Sequence, residues 1–299
     1  MKFCIFLFIA FFFQFANAKE VSITIDDFPL RCCFGNAERL KAENDKFLET
    51  LKKFNTPIIA FVNEIHIYNK NQVKMTEMLE DYIKYGHEIG NHTYSHKIIN
   101  NVGFEVFKKD IELGEKISKK VAEANNMKLR YFRHPGLGNG ANKKQRTQLD
   151  KYLQKQQYII APVTIDTMDW RFNKYYLIAI ERKDKKMMQK ISDDYLHYIT
   201  KTIKFSEDVT QEIFGREIKH VLLMHAIQIN IDNLDKVLQK IKDSGYEFIT
   251  LDKALKDEVY KVDVTTNYGA GNSLSRWSSI YKKGEAMKTD PALTIKKYY

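Results

Sequence analysis

The stretch V-S-I-T-I-D-D-F-P at residues 21–29 decides the fold. Its first five residues alternate in character and are rich in β-branched types, which predicts a strand over residues 21–25. Two carboxylates, Asp26 and Asp27, follow directly, and successive side chains of a strand point to opposite faces of the sheet. Both aspartates can reach one pocket only from a loop, so we expect the strand to end at Asp26. A polar turn is the alternative interpretation of this motif taken alone.

Further strands and helices alternate along the chain. Short apolar runs predict six more strands, and apolar residues at helical spacing predict the helices between them. The strands are expected at 57–62, 88–91, 129–132, 158–165, 220–224 and 248–251, and the helices at 36–54, 72–85, 104–125, 143–156, 184–203, 209–214 and 233–244. This alternation is typical of α/β proteins with a parallel sheet, and about seven parallel strands predict a closed or nearly closed (β/α) barrel.

Polar residues follow the ends of several predicted strands. Besides the two aspartates, these residues are His92, Arg133, the segment 166–170 and His225. In a parallel barrel the carboxyl ends of the strands share one face, and that face carries the active site. The residue types differ between segments and complement one another, so we expect one site built from five separate segments.

His92 and His96 are four positions apart, so at a helix or turn start both imidazoles can face one metal ion. Asp27 would add an oxygen ligand. Two imidazoles and one carboxylate leave positions open for water, which is typical of a catalytic metal site. The neighbouring Asp26 could then accept a proton from that water. A chance pair of surface histidines is the alternative, and the strand-ending aspartates weigh against it.

The chain carries five motifs: T-I-D-D-F-P at 24–29, H-T-Y-S-H at 92–96, R-H-P at 133–135, D-T-M-D-W at 166–170 and L-L-M-H at 222–225. These motifs resemble those of the polysaccharide deacetylases, the NodB-homology carbohydrate esterases of family four. They are similar, in family order, to the aspartate motif, to H-[ST]-x-x-H, R-x-P and D-x-x-D-W, and to the apolar strand that ends in histidine. The resemblance extends from about residue 20 to residue 255.

This resemblance implies a distorted (β/α) barrel with fewer than eight regular units. It also implies that Asp26 is the general base and that His225 protonates the leaving amine. The metal ligands would be Asp27, His92 and His96, and the metal would be divalent, usually Zn²⁺ and sometimes Co²⁺ or Ni²⁺.

The resemblance assigns supporting roles as well. Arg133 would orient Asp26, and Asp169 would orient His225 and keep it cationic. Substrate contacts would come from Tyr94, Pro135 and Trp170, with Trp170 as a wall of the acetyl pocket. A main-chain N–H near Tyr94 would help to stabilise the oxyanion.

Two motifs depart from the family pattern. Gly136 and Gly138 stand where R-x-P-x-G is expected, so the rim of the groove should differ there. The usual His-Asp of the fifth motif is His225-Ala226 in this chain. Asn230 on the same loop could replace the missing polar contact.

The chain begins with the pattern of a secretory signal peptide. A basic start precedes a Phe-rich apolar run at 3–15 and an A-N-A cleavage site at 16–18. We expect residues 1–18 to be removed, residues 19–258 to form the barrel and residues 259–299 to form a loop-rich C-terminal extension. An uncleaved anchor is the weaker alternative because the run is short for a membrane span. The mature protein is therefore expected to be exported, periplasmic or secreted, with no stable membrane span.

The composition adds few constraints. The chain of 299 residues has a formal net charge of +10, and its lysines are spread over many segments. A solvated basic surface is favoured over attraction to an anionic envelope polymer, and no nucleic-acid partner is expected because no binding motif is present. Cys32 and Cys33 are adjacent, so they are expected to be small buried residues or to pair with a partner chain.

The sequence thus predicts an exported, metal-dependent hydrolase that removes N-acetyl groups from a carbohydrate. One alternative is an O-acetyl polysaccharide esterase that uses the same site, and another is a non-catalytic glycan-binding module on the same scaffold. A third is metal-independent amide hydrolysis by a barrel relative, which would not need both His92 and His96. The sequence names neither the glycan nor the oligomeric state.

Overall fold

The computed structural model describes residues 18–32, 36–68, 71–293 and 295. The predicted signal peptide lies almost wholly outside this part of the chain, and so does Cys33. Cys32 is 4% exposed, as expected for a small buried residue. Among the described residues, no helix is both long and apolar enough to span a bilayer.

One sheet of eight parallel strands runs through the described residues. The strands are β1 Lys19–Arg31, β2 Ile58–Val62, β3 Glu88–Asn91, β4 Tyr131–Phe132, β5 Ile159–Ile160, β6 Ile165–Asp166, β7 His220–Ile227 and β8 Tyr246–Ile249. Their order is β5-β4-β3-β2-β1-β7-β6, and β8 pairs with the start of β1. All five residues of β2 are buried, as expected for a strand covered on both faces.

The sheet curls into the predicted distorted barrel. Its two edge strands, β5 and β6, are separated in the chain by residues 161–164 only. Such a link spans at most about 18 Å, whereas seven strands laid flat would put the edges about 29 Å apart. The edges can be joined only if the sheet bends round towards itself, so the distorted (β/α) barrel is confirmed.

The strand predicted at 158–165 is split into β5 and β6. Pro162 has no N–H to donate to a neighbouring strand. The buried Arg133 also donates hydrogen bonds to carbonyl oxygens of this segment. Arg133 Nε donates to the carbonyl of Ala161 at 3.0 Å, and its Nη2 donates to that of Pro162 at 3.3 Å. Because these carbonyls accept hydrogen bonds from Arg133, they do not pair with a neighbouring strand, and the strand is interrupted here.

The prediction that the first strand ends at Asp26 is wrong, because β1 continues to Arg31. A bulge brings both aspartates into the pocket instead. From residue 25 to 28 the strand advances by three residues while β2 advances by two, and Asp27 adopts a left-handed φ of 61°. A bulge re-aims the side chains beside it, and Asp26 and Asp27 line the same pocket.

Helices surround the sheet. They are α1 Ala37–Lys53, α2 Ile65–Tyr68, α3 Gln72–Lys84, α4 Phe104–Leu113, α5 Lys116–Ala124, α6 Lys143–Lys155, α7 Asp169–Glu181, α8 Lys185–Phe214, α9 Gln228–Asp243, α10 Leu251–Ala254 and α11 Ser273–Tyr281. The two helices predicted at 184–203 and 209–214 form the single α8, since no Gly or Pro interrupts them before Gly215. Helices α2, α7 and α10 were not predicted.

The helix predicted at 104–125 is broken into α4 and α5 near Gly114. A Cβ atom there would lie 2.3 Å from the main-chain carbonyl carbon of Thr93, so only glycine lets this loop pass so close. Two main-chain N–H groups at the start of α5 donate to the buried Glu64 carboxylate at 2.8 and 2.7 Å. This carboxylate satisfies donors that the break would otherwise leave unpaired.

The C-terminal extension docks on the barrel through α11. Trp277 is 2% exposed, and its ring meets that of Phe214 edge to face with centroids 5.1 Å apart. Lys283 Nζ donates to the carbonyl of Glu212 on α8 at 2.8 Å. The segment predicted to be loop-rich therefore contains a helix packed along α8, while the domain boundary at 258 stays a prediction.

Candidate active site

A pocket of about 690 Å³ opens where the strands end, a size that is ordinary for small-ligand sites. Its polar side chains include Asp26, Asp27, His92, His96, Asp166 and His225. Its apolar walls include Ile98, Leu137, Met168, Trp170, Leu177, Leu223 and Ile227. Residues from β1, β6 and β7 and from the loop after β3 thus meet in one cavity, as the strand-end pattern predicts.

Asp27, His92 and His96 form a cluster that could hold a metal ion, with one ligand atom each within 4.8 Å of the others. Asp27 Oδ1 lies 3.8 Å from His92 Nε2 and 3.6 Å from His96 Nε2. Neighbouring donors on a tetrahedral zinc ion are about 3.4 Å apart for bonds of about 2.1 Å. The three predicted ligands therefore fit a divalent cation with little movement.

Hydrogen bonding fixes the tautomer of His92. Its Nδ1 lies 2.8 Å from the main-chain carbonyl of Arg133, which can only accept, so Nδ1 carries the hydrogen. Nε2 is then the nitrogen available to a metal. Burial lowers the pKa of His92 to about 4 despite the opposing charge of Asp26, so the ring is neutral near pH 7, as a ligand must be.

A carboxylate outside the pocket anchors the loop that carries His96. Asp110 on α4 is 2% exposed and accepts the Ser95 N–H at 3.1 Å and the Ser95 hydroxyl at 2.7 Å. It also accepts Lys97 Nζ at 3.0 Å. Burial would raise the pKa of Asp110, but the hydrogen bonds from Ser95 and Lys97 outweigh it and the pKa is lowered. Asp110 thus ties down the residues on both sides of His96.

Five residues in or next to the pocket have left-handed backbone. Asp27, Thr93, His96, Leu137 and Met168 have φ values of 61°, 66°, 57°, 53° and 48°. This region is uncommon for residues other than glycine and an outlier for a β-branched one such as Thr93. Strained backbone persists where the surroundings fix it.

Two asparagines supply such support beside His92. Asn63 Nδ2 donates to the main-chain carbonyls of His92 and of Thr93. Asn91 Oδ1 accepts the Thr93 N–H at 2.7 Å. Both asparagines are fully buried, so these bonds are shielded from competing water and hold the strained turn.

Asp26 is held by Arg133, as the resemblance implies. Arg133 Nη1 lies 3.3 Å from each carboxylate oxygen of Asp26, and Nη2 donates to Thr24 Oγ1 at 2.9 Å. Asp26 and Arg133 are 2% and 0% exposed, so the carboxylate is buried with a partner for its charge. Asp26 Oδ2 also lies 3.6 Å from His92 Nε2, beside the metal-ligand cluster.

His225 is held by Asp169. The main-chain N–H of His225 donates to Asp169 Oδ2 at 2.6 Å, and His225 Nδ1 lies 2.7 Å from Oδ1. Burial would lower the pKa of His225, but the charge and hydrogen bond of Asp169, helped by Asp27 and Asp26, raise it to about 10. His225 is therefore protonated at neutral pH, with Nε2 left for another partner.

Asn230 completes this arrangement. Its Nδ2 donates to Asp169 and, at 2.9 Å, to the main-chain carbonyl of His225. Its Oδ1 accepts the hydroxyl of the buried Tyr195 at 2.7 Å. Asn230 lies in the first turn of α9, which follows β7 directly, and not on a loop as expected. From there it provides the polar contact that Ala226 cannot.

Only one of the three residues predicted to contact the substrate lines the pocket. Trp170 lines the pocket and is 51% exposed, whereas Tyr94 and Pro135 are not among the residues that line it. The N–H of Tyr94 donates to the main-chain carbonyl of Asp110 at 2.8 Å. The N–H of Tyr94 itself therefore already has a partner, and the expectation that a main-chain N–H near Tyr94 serves the oxyanion stays a prediction.

Sequence reasoning missed most of the apolar wall and both loop anchors. Trp170, Asn173 and Leu177 line the pocket from one face of α7, and their spacing of three and four residues is a helical signal. The sequence predicted Trp170, and recognising α7 as a helix could have found Asn173 and Leu177 as well. Asp110 and Asn63 carry no comparable signal, because they reach the site from distant segments.

Comparison with known proteins agrees with the resemblance to the polysaccharide deacetylases. The polysaccharide deacetylase family model matches residues 15–157. A peptidoglycan-N-acetylglucosamine deacetylase of Bacillus cereus is 24% identical over 241 residues, which cover 79% of this chain and 68% of the relative. The peptidoglycan-N-acetylmuramic acid deacetylase PdaC of Bacillus subtilis is 23% identical over 79% of this chain and 38% of its own length. The resemblance inferred from the motifs is confirmed.

Solved structures show the same fold. The polysaccharide deacetylase Bc1974 from Bacillus cereus matches with a TM-score of 0.54 at 19% identity, covering 78% of this chain and 91% of its own. The protein BA3943 from Bacillus anthracis, a pseudoenzyme of carbohydrate esterase family four, matches with a TM-score of 0.52 at 19% identity, covering 80% and 66%. The fold thus occurs with and without activity.

Proposed function

We propose that this relative of the polysaccharide deacetylases is a metal-dependent hydrolase that removes N-acetyl groups from a carbohydrate and releases acetate. One observation carries the proposal. A cluster fit for a divalent cation, Asp27, His92 and His96, lies in the same pocket as the arginine-held Asp26 and the aspartate-held His225. Metal-assisted hydrolysis of an amide uses these three functions together: a cation, a general base and a general acid.

The donor set supports zinc as the metal. Two neutral imidazoles and one carboxylate are common ligands of catalytic zinc, and cobalt or nickel can use the same donors. A bound cation would polarise the acetyl carbonyl and make water more acidic. His92 is suited to bind the metal through Nε2, since its Nδ1 hydrogen is donated to the carbonyl of Arg133 and its ring is neutral.

Asp26 is the proposed general base. Its carboxylate lines the pocket beside the metal-ligand cluster and is held against Arg133. An aspartate fixed in this way can accept a proton from water without first reorganising. The other aspartate, Asp27, faces the two histidines, so the two carboxylates have separate tasks.

His225 is the proposed general acid. Its Nδ1 is bonded to Asp169, so Nε2 is the nitrogen that would give a proton to the leaving amine. The raised pKa of His225 keeps that proton available at neutral pH. Amines leave poorly from tetrahedral intermediates unless they are protonated, so this group is required for amide cleavage.

The retained side chains favour an enzyme over a glycan-binding module. Because BA3943 is described as a pseudoenzyme, the fold alone does not decide activity. In this chain each proposed catalytic residue is present and also has its partner, Arg133 for Asp26 and Asp169 for His225. A binding module would need neither pair.

A cell-envelope or extracellular glycan is the proposed substrate. Support comes from the two relatives that are named peptidoglycan deacetylases and from the secretory pattern at residues 1–18. We propose that the mature protein acts after export. Amino-terminal sequencing of the secreted or periplasmic protein should begin at Lys19, and an intact Met1 in the cytoplasmic fraction would contradict this.

Acetate release tests the activity. Protein loaded with Zn²⁺ and protein stripped by a chelator are incubated with matched N-acetylated and O-acetylated glycans. We expect acetate from an N-acetylated glycan, loss of release after chelation and recovery on adding Zn²⁺. Release from O-acetylated glycans alone would replace the proposal with an esterase, and release that is insensitive to chelation would exclude the metal.

A further inference from the structure

A small cavity beside the loop 135–140 is lined by three arginines, and we propose that it binds a compact monovalent anion such as chloride. The arginines are Arg133, Arg146 and Arg276. The bound anion would join the C-terminal extension to the barrel. The cavity shares only Leu137 with the catalytic pocket, so the anion would bind whether or not a substrate is present.

The lining of this cavity is cationic. Besides the three arginines it includes the polar side chains of His134 and Asn139, and none of the described residues that line it is an aspartate or a glutamate. Guanidinium groups keep their charge at neutral pH. Walls that carry one sign of charge concentrate ions of the other sign, so this cavity should attract an anion.

Arg276 donates only to neutral acceptors among the residues that the structure describes. Its Nη atoms donate to the main-chain carbonyls of Asn267 at 2.7 Å and of Leu137 and Gly269 at 3.0 Å. Burial and the charge of Arg146 lower the pKa of Arg276 to about 10, so the group is still cationic at neutral pH. A partly buried charge that is bonded only to carbonyls remains uncompensated.

The other two arginines have carboxylate partners that lie outside the lining. Arg133 Nη1 lies 3.3 Å from Asp26, and Arg146 Nε lies 2.6 Å from Asp150. Each nitrogen of Arg133 already has an acceptor, so Arg133 offers charge but no further hydrogen bond. The charge of Asp263 also acts on Arg146, but Asp263 is exposed and does not line the cavity. One positive charge, that of the third arginine, is left for a monovalent anion to neutralise.

Two buried nitrogen atoms of the lining lack a hydrogen-bond partner. They are Arg146 Nη1 and His134 Nδ1, and the two residues are 6% and 7% exposed. Burial and the charges of the nearby arginines hold the pKa of His134 well below its usual value. Its ring is therefore neutral, and Nδ1 can carry the single ring hydrogen. Buried N–H groups are costly without an acceptor, and one anion would serve both.

The volume of the cavity selects a small ligand. It is about 90 Å³, well below the roughly 300–1,000 Å³ of pockets for organic ligands and above the about 10–15 Å³ that one water needs. A sugar unit is therefore too large, whereas chloride fits together with water. Asn139 Oδ1 also lacks a partner, and such a water would donate to it. Water alone would leave the charge of Arg276 uncompensated.

The anion would hold separate parts of the molecule together. Arg276 belongs to α11 of the extension, Arg146 belongs to α6, and His134 lies two residues after β4. The two arginines repel each other across the cavity, and an anion between them turns this repulsion into attraction. An anion that binds only the folded protein stabilises it, so occupancy can be measured through stability.

Thermal unfolding at constant ionic strength tests the site, with sodium chloride replacing sodium gluconate, whose anion is too large for the cavity. Chloride at about nine times its dissociation constant lowers the unfolding equilibrium constant about tenfold, which raises Tm by roughly 2–4 °C. We expect a saturable rise of this size in the wild type and in Arg182→Gln, which changes an exposed arginine outside the lining. Arg276→Gln removes the uncompensated charge and should lose the rise.

Arg276→Gln also loses hydrogen bonds to carbonyls, so the readout is the dependence of Tm on chloride and not Tm itself. Wild-type crystals soaked in sodium bromide give a second measurement that needs no variant. Anomalous scattering should place one bromide in the cavity, beside Arg146 and Arg276. A rise in Tm that does not saturate, an equal rise in Arg276→Gln, or bromide on the protein surface only would overturn the inference.

Discussion

The two sides of the catalytic pocket are held by different means. On the metal side, Asp27 and His96 stand on left-handed backbone, and Asp110 anchors the loop that carries His96. On the acid side, His225 lies on the regular strand β7. Its ring is held by a hydrogen bond to the side-chain carboxylate of Asp169. The metal side therefore combines left-handed backbone with a carboxylate anchor behind the ligands, whereas the acid side depends on a carboxylate in direct contact with His225.

The same difference appears in the two buried histidines. Burial holds the pKa of His92 at about 4, and Asp169 with nearby carboxylates raises that of His225 to about 10. Groups of one type with widely separated pKa values indicate separate roles. One ring is neutral and can be a ligand, while the other is charged and can be an acid.

Asp26 lies between the two sides, and its replacement should have the largest effect among variants that keep all three metal ligands. Asp26→Asn keeps the size of the side chain but cannot accept a proton, so turnover should fall by about 10²- to 10⁴-fold. Metal content should stay at the wild-type value because Asp27, His92 and His96 are untouched. Acetate release and elemental analysis of the same sample measure both. An unchanged rate would remove Asp26 as the base.

Asp169→Asn tests the acid side through its pH dependence. Asp169 raises the pKa of His225, so losing the charge lowers that pKa. The acid is active only below its pKa, and the alkaline limb of the rate profile should move to lower pH in the variant. We also expect turnover at neutral pH to fall by roughly 10²-fold. A profile identical to the wild type would show that Asp169 does not control His225.

Asp110→Asn tests the metal side through affinity. The variant removes the charge that holds Ser95 and Lys97, and loss of support behind a ligand typically weakens metal binding by about 10- to 100-fold. Turnover at saturating Zn²⁺ should be largely retained, which separates this effect from that of Asp26→Asn. Competition with a chelator measures the affinity. The exposed Asp45→Asn is the control, and equal affinities in the two variants would contradict the anchoring role.

Tyr195→Phe should have the smallest effect. The variant leaves the buried Asn230 Oδ1 without its donor, which costs about 1–3 kcal/mol of unfolding free energy. Turnover should change little, since Asp169 keeps its bonds to His225. Chemical denaturation measures the stability, with the exposed Tyr85→Phe as control. Equal stabilities would show that the Tyr195–Asn230 bond contributes nothing.

The sequence predicted the parts of the site that are tied to strand ends. Asp26, Asp27, His92, His96 and His225 could be found because parallel strands bring their carboxyl ends together, whatever lies between them. The bulge at Asp27 could not be found from the sequence, because the alternation of residue types along the strand gives no sign of an inserted residue. The sequence therefore predicted which groups meet, but not how both aspartates face the same way.

The supporting residues escaped prediction for a related reason. Asp110 bonds to a residue 15 positions away, and Asn63 to residues 29 and 30 positions away. Such contacts follow neither a helical nor a strand period, so they become visible only after folding.

Metal content measured together with turnover tests the central claim most directly. His96→Ala removes one ligand of the cluster, and His197→Ala removes an exposed histidine of α8 as a matched control. We predict about one divalent ion per wild-type chain and per His197→Ala chain, and loss of both the ion and acetate release in His96→Ala. Full acetate release by His96→Ala in the presence of a chelator would contradict a metal-dependent deacetylase.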